Sequence, residues 1–169
     1  MLNKKVIFNN YNLQLFIIFI LWIISILLYF FLNDYVKAGS LEGGVKFGAD
    51  SKFYIRQATM ILNSEASVLD YKSKFGYILF LIPFIYFNIP FVFIVIFQLI
   101  LTAISAWCLY KITTKFFCEL SGIICVALFL LYFPLQIRNF YILTEMLFIN
   151  FSIILSYLIV YFKKIYLPT

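Results

Sequence analysis

The chain has 169 residues, a formal net charge of +6 and no histidine; 65% of its residues are apolar, 22% aromatic and only 12% charged. That charged share is about half of what a soluble domain carries, and the mean hydropathy is +1.04. A soluble enzyme, a secreted disulfide scaffold and a disordered tail are therefore excluded, and an integral membrane protein remains. The missing histidine also excludes a histidine general base, a Ser-His-Asp triad and any His-ligated metal.

The first predicted element is the apolar run Leu15–Leu32, preceded by Lys4 and Lys5. At eighteen residues it exceeds the apolar core of a cleaved signal peptide, about 7–15 residues, and reads as an uncleaved signal anchor. A long segment expected to lie outside the cytoplasm, residues 33–90, follows. It holds Asp34, Glu42, Asp50, Glu65 and Asp70, five of the seven acids in the chain. Gly39, Gly43, Gly44 and Gly48 precede Asp50 and predict sharp turns; no phosphate-loop pattern is present. Asp50 is expected to cap a helix over Ser51–Asn63. Lys52, Arg56, Thr59 and Asn63 form its polar stripe, and Tyr54, Ala58 and Ile61 its apolar face, which suits a helix lying flat on a membrane surface.

Phe75–Phe87 is a thirteen-residue apolar run containing Pro83. As a helix it reaches only about 20 Å, against a hydrocarbon core of about 30 Å. Three further runs are long enough, or nearly so, to span: Phe91–Tyr110, Leu120–Ile137 with Pro134 near its end, and Leu143–Phe162. If Phe75–Phe87 stays at the interface, Lys4, Lys5, Lys111, Lys115, Lys163 and Lys164 all fall on one side; if it crosses, Lys111, Lys115, Lys163 and Lys164 change sides. The positive-inside rule favours the first arrangement. The expectation is an all-α polytopic protein forming one membrane domain over residues 1–169. It has about four transmembrane helices, with amphipathic and juxtamembrane helices in a long first outer loop. The N-terminus is cytoplasmic, in the plasma (inner) membrane.

Gln98, Thr102 and Ser105 share one helix face by spacing, and such a face normally packs against another helix through hydrogen bonds, as do Asn150 and Ser156. Cys108, Cys118 and Cys125 form no C-x-x-C pair and read as membrane packing residues. The basic residues flank apolar runs and form no separate stripe, so no nucleic-acid partner is expected. Asp50 and Glu145 remain as the acids of interest. Glu145 stands at the lip of the last apolar run, where a carboxylate is costly to desolvate, and the four-span arrangement puts both acids at one aqueous boundary. A plain helix-terminus role competes for each.

The order of segments carries a resemblance. Gly-Ala-Asp50-Ser-Lys-Phe-Tyr54, with Ala58 following, comes after the first span. Tyr71-Lys72-Ser-Lys-Phe-Gly76-Tyr77 leads into the short apolar helix, and Tyr141-Ile-Leu-Thr144-Glu145-Met-Leu-Phe opens the last. This resembles the N-terminal part of GT-C glycosyltransferases, among them protein O-mannosyltransferases and the aminoarabinose transferases that modify lipid A. The resemblance implies an inverting transfer of a sugar from a polyprenyl-phosphate donor to an extracytoplasmic acceptor (a glycan, lipid or protein). Asp50 would be the base and Glu145 the second-loop acid that orients the acceptor or Asp50. Lys72 would meet phosphate, with Lys74 and Arg138 as further cations, and Tyr54 would support Asp50. It implies no cofactor, and no metal site is recognisable. Ser51 stands where the family often has a second acid, and the spans are fewer than the family's, which implies a truncated or partial chain. The alternative is a non-catalytic membrane subunit or a transporter fragment.

Overall fold

The computed structural model describes residues 11–32, 40–42, 45–64 and 75–166. The protein is an all-α polytopic membrane protein. Helix α1 (Tyr11–Leu32) is followed by a short hairpin, β1 (Ser40–Glu42) and β2 (Val45–Phe47). Then come α2 (Ala49–Leu62), α3 (Phe75–Tyr86), α4 (Val92–Phe116), α5 (Glu119–Leu131), the short α6 (Phe133–Gln136), a 3-10 turn (Ile137–Phe140) and α7 (Thr144–Tyr166). Among the described residues three helices, α1, α4 and α7, are long and apolar enough to cross a membrane, and α5 with the segment after it makes a fourth when taken as one bent span.

Side-chain contacts fix the directions of the helices. Asn150 of α7 meets Thr102 of α4, and further along Tyr161 bonds the Lys111 carbonyl and Lys115 the Val160 carbonyl. Helices α4 and α7 therefore run parallel. Ile18 of α1 clusters with Ala106, Tyr110, Val126 and Leu130, whereas Tyr29 at its other end stacks on Phe140. Thus α1 runs opposite to α4, and α5 returns beside α4 and α1. Lys111 and Lys115 lie at one end of the bundle; the hairpin, α2, the 3-10 turn and the start of α7 lie at the other.

Helix α3 begins and returns at that second end. Tyr77 packs on Tyr54 of α2, and Phe91, beyond the end of α3, packs on Phe47 of β2. Its twelve residues reach only about 18 Å. The reversal is set by Asn88, whose φ of 51° is the left-handed conformation that asparagine tolerates at a helix C-terminus. The Ile89 amide then bonds the Phe84 carbonyl and the Asn88 amide the Ile85 carbonyl, and Pro90 prevents the helix from resuming.

Three expectations are corrected. The run Leu120–Ile137 is not one straight helix: α5 stops at Leu131 and the chain bends by 58°. Pro134 has no amide proton, and its ring would clash with the Leu130 carbonyl in a continuous helix. The helix α2 starts one residue earlier than expected, with Gly48 as its N-cap and Asp50 inside the first turn. Its apolar face does not rest directly on a membrane: Tyr54 and Ala58 are fully buried in a core shared with Tyr77, Ile78 and Leu81 of α3. The hairpin was not expected; it pairs Ser40 with Phe47 and Glu42 with Val45. Of the cysteines, Cys108 is buried as a packing residue should be, but Cys118 is exposed at the start of α5.

The α4–α5 contact depends on Gly122. A Cβ there would lie 2.6 Å from Thr114 Cγ2 and 2.9 Å from the Tyr110 ring. Gly122→Ala should cost about 1–3 kcal/mol by overpacking, seen as a lower thermal midpoint of the reconstituted protein. Adding Thr114→Ser, which removes the clashing methyl group, should recover part of the loss.

Candidate functional site

The site is carried by the segment between the bend and α7, and a polar network fastens that segment. Gln98, Thr102 and Ser105 of α4 do share one face, as their spacing predicted, and all three are completely buried, as are Asn139 and Asn150. The Thr102 hydroxyl lies 2.9 Å from both the Gln98 carbonyl and Asn139 Oδ1 and shares its one proton between them. It accepts a hydrogen bond from Asn150 Nδ2 at 3.1 Å. Asn139 donates to Gln136 Oε1 at 2.9 Å. Gln136 in turn donates to the Phe129 carbonyl at 2.8 Å, an acceptor that the end of α5 leaves without a helical donor. With its amide nitrogen facing them, Gln98 donates to the carbonyls of Tyr141, at 3.2 Å, and Asn139, at 2.5 Å. Ser105 reaches the Asn150 carbonyl at 3.3 Å. The packing role expected of this face is what the structure shows.

Held in this way, the 3-10 turn presents Arg138 to the first turn of α7. Arg138 Nη1 donates to Glu145 Oε1 at 2.9 Å, with the two side chains 45% and 41% exposed. At that exposure the pair contributes about 0–1 kcal/mol to stability. It fixes geometry more than it stabilises the fold, and it neutralises the cation. Arg138 is therefore not an isolated charge waiting for an anion. The second carboxylate oxygen, Glu145 Oε2, is buried and has no hydrogen-bond partner among the described residues.

Asp50 occupies the second position of α2 and is exposed. The cap beside it is made by Ser51, whose hydroxyl accepts the Gly48 amide proton at 3.2 Å. Ser51 is completely buried, so the residue standing in place of a second acid serves the helix start. That leaves the Asp50 carboxylate free of capping work and favoured by the helix dipole. Tyr54, one turn later, turns inward instead of towards Asp50. Its ring meets the edge of Tyr77 at a centroid distance of 5.3 Å. Burial, then the neighbouring Tyr54 and Glu145, push the Tyr77 hydroxyl above its ordinary value. Tyr54, Tyr77, Glu145 and Arg138 thus follow one another by contact or charge, and Asp50 stands one turn before Tyr54 at the same end of the bundle. Lys72 and Lys74 lie outside the described residues.

Two features have no counterpart in the sequence reading. Lys46 of β2 is only 2% exposed. Its ammonium lies 5.8 Å from the Tyr29 ring and 5.9 Å from the Tyr141 ring, and β2 bridges to the chain at Tyr141. Burial lowers its pKa, and the aromatic faces compensate in part. The V-K-F alternation was the available signal, but nothing local said which face would be covered. The second feature is an apolar groove of about 520 Å³ lined by Gly76, Tyr77 and Phe80 of α3 and by Thr144, Phe148 and Phe151 of α7. Among the described residues no three His, Cys, Asp or Glu side chains converge as a metal site.

Comparison of the chain with protein-family models, with curated proteins and with solved structures finds no match.

Two outcomes are expected. Gln98→Leu should leave the Tyr141 and Asn139 carbonyls unmet, at about 1–3 kcal/mol each; thermal midpoint and amide exchange in 137–143 read the effect. Tyr77, with its folded pKa raised, contributes stability that is intact below the ordinary phenol value of about 10 and is lost as pH rises above it. A thermal-melt series across that range should therefore fall less steeply for Tyr77→Phe than for the parent protein.

Proposed function

We propose that the protein is a glycosyltransferase-like membrane protein that uses a polyprenyl-phosphate sugar donor and an acceptor outside the cytoplasm. The observation that carries the reading is that Asp50 and Glu145 stand at one end of the bundle, where a groove walled by Tyr77, Phe80, Phe148 and Phe151 opens next to Glu145 at Thr144. An isoprenoid chain is a fitting occupant, since it offers only apolar surface to such walls. Lys111 and Lys115 at the opposite end support a cytoplasmic location for that end, and hence an extracytoplasmic one for the acids. The resemblance to GT-C enzymes adds the reaction class.

In this reading an acceptor hydroxyl attacks the anomeric carbon from the face opposite the phosphate. A new C–O bond forms as the bond from that carbon to the phosphate oxygen breaks. The bonding pair leaves with the polyprenyl phosphate, and the proton passes to the Asp50 carboxylate. Asp50 suits the task because it is exposed and spared from capping. Glu145, already aligned by Arg138, orients the incoming groups. Lys72 and Lys74, with Arg138 as a lesser contributor because of its ion pair, meet the phosphate charge. Tyr54 acts at a remove, fixing α2 against Tyr77.

Asp50→Asn should lower transfer from a radiolabelled polyprenyl-phosphate sugar by about 10²-fold or more, with the protein's level in the membrane unchanged. Transfer retained in this variant would overturn the assignment.

A further inference from the structure

Beside the groove, on Tyr77 and on Glu145 next to the lining residue Thr144, stand two polar atoms whose bonding capacity is unmet among the described residues. The Tyr77 hydroxyl and Glu145 Oε2 are both shielded from solvent and have no hydrogen-bond partner among the described residues. Tyr77 is 6% exposed overall and its side chain lines the groove; Thr144, the neighbour of Glu145, lines it too. Buried polar atoms are nearly always bonded, so a donor and an acceptor left together beside a groove mark a place for a ligand atom. The ordinary requirements of the fold do not explain the pair. Removing the Tyr77 hydroxyl would break no bond among the described residues, and the ion pair with Arg138 uses only the other carboxylate oxygen.

We propose that Tyr77 and Glu145 together recognise a hydroxyl on the head group of a lipid whose chain lies in the groove between α3 and α7. A hydroxyl accepts one hydrogen bond and donates another. It can take the Tyr77 proton and give its own to Glu145 Oε2. A phosphate suits this position badly: the carboxylate repels it, and the nearby Arg138 charge is already neutralised. A quaternary ammonium has neither an N–H to donate nor a lone pair to accept with. The inference rests on the reading above and deepens it. The deep end of the site selects the hydroxyls of the carried sugar, and the phosphate lies elsewhere, towards the cations outside the groove. Because both atoms are shielded, the head group reaches them only as neighbouring side chains move.

The test uses the full chain in lipid nanodiscs and three photo-crosslinking probes with one alkyl chain, ending in glucoside, phosphate or trimethylammonium. The glucoside should be captured best. Tyr77→Phe should lower its capture about fivefold, the effect of one neutral hydrogen bond, with the other two probes unchanged and no fall in thermal midpoint. A Cβ at Gly76 would meet nothing within 4 Å, so there is room for Gly76→Leu, which should fill the groove and lower capture of all three. Unchanged glucoside capture by Tyr77→Phe, or an equal loss for all three heads, overturns the proposal. So does a lower midpoint with capture intact, since the hydroxyl would then bond within the protein. No transfer is read in this assay, so an absence of sugar transfer counts against the preceding reading and not against this one.

Discussion

An apolar bundle offers no water to a stray amide, so each polar group inside it must bond to another or be a costly defect. In this protein that constraint is met chiefly by one cluster: Gln98, Thr102 and Ser105 on α4 against Asn139, Gln136 and Asn150. The cluster joins three pieces of chain, α4, the segment after the bend, and α7. It ties α4 to α7, closes the frayed end of α5 through the Phe129 carbonyl, and fixes the backbone at Asn139 and Tyr141 through Gln98. A bend forced by Pro134 would otherwise leave a loose stretch of backbone at the membrane boundary. Here the same bend becomes a rigid shelf that carries Arg138.

The acidic end of the bundle is built outward from that shelf. Arg138 aligns Glu145, and the start of α7 is thereby set against α3 across the groove. Tyr29 stacks on Phe140 at 3.4 Å between ring centroids, which anchors the shelf to α1. Lys46 sits between Tyr29 and Tyr141, so the hairpin is drawn onto the same surface. From the hairpin, Gly48 starts α2, and α2 presents Asp50 outward while Tyr54 and Ala58 lock it against α3. A carboxylate on an exposed first turn and a carboxylate half-committed to an ion pair are thus delivered by separate elements to one end of the molecule. The acids differ in their surroundings, which suits different tasks: one is open to solvent, and the other keeps a single shielded oxygen.

Much of the architecture was legible in the chain because it depends on local quantities. The length of an apolar run decides whether a helix can cross a bilayer; α1, α4 and α7 follow from it. The shortness of Phe75–Phe87 pointed to a helix too short to span, and α3 has twelve residues. The shared face of Gln98, Thr102 and Ser105 followed from helical periodicity. Other features were misread because they depend on partners. Asp50 is a good capping residue by type, yet Ser51 and Gly48 form the helix start, since the buried hydroxyl was better placed. Pro134 was visible, but whether it would kink a span or end it was decided by Gln136 and Asn139 being at hand to satisfy the broken backbone.

By itself, then, the sequence determined that the chain belongs in a membrane, how many times it has the means to cross, and which acids stand at helix starts near its surfaces. Those conclusions need only hydropathy, length and charge, each a property of a single stretch. Only the tertiary structure decided which oxygen of Glu145 is used by Arg138, that Tyr77 comes beside the other, that Lys46 is buried between two tyrosines, and that a groove opens between α3 and α7. These are meetings of residues far apart in the chain, set by how the helices close on one another around the polar cluster.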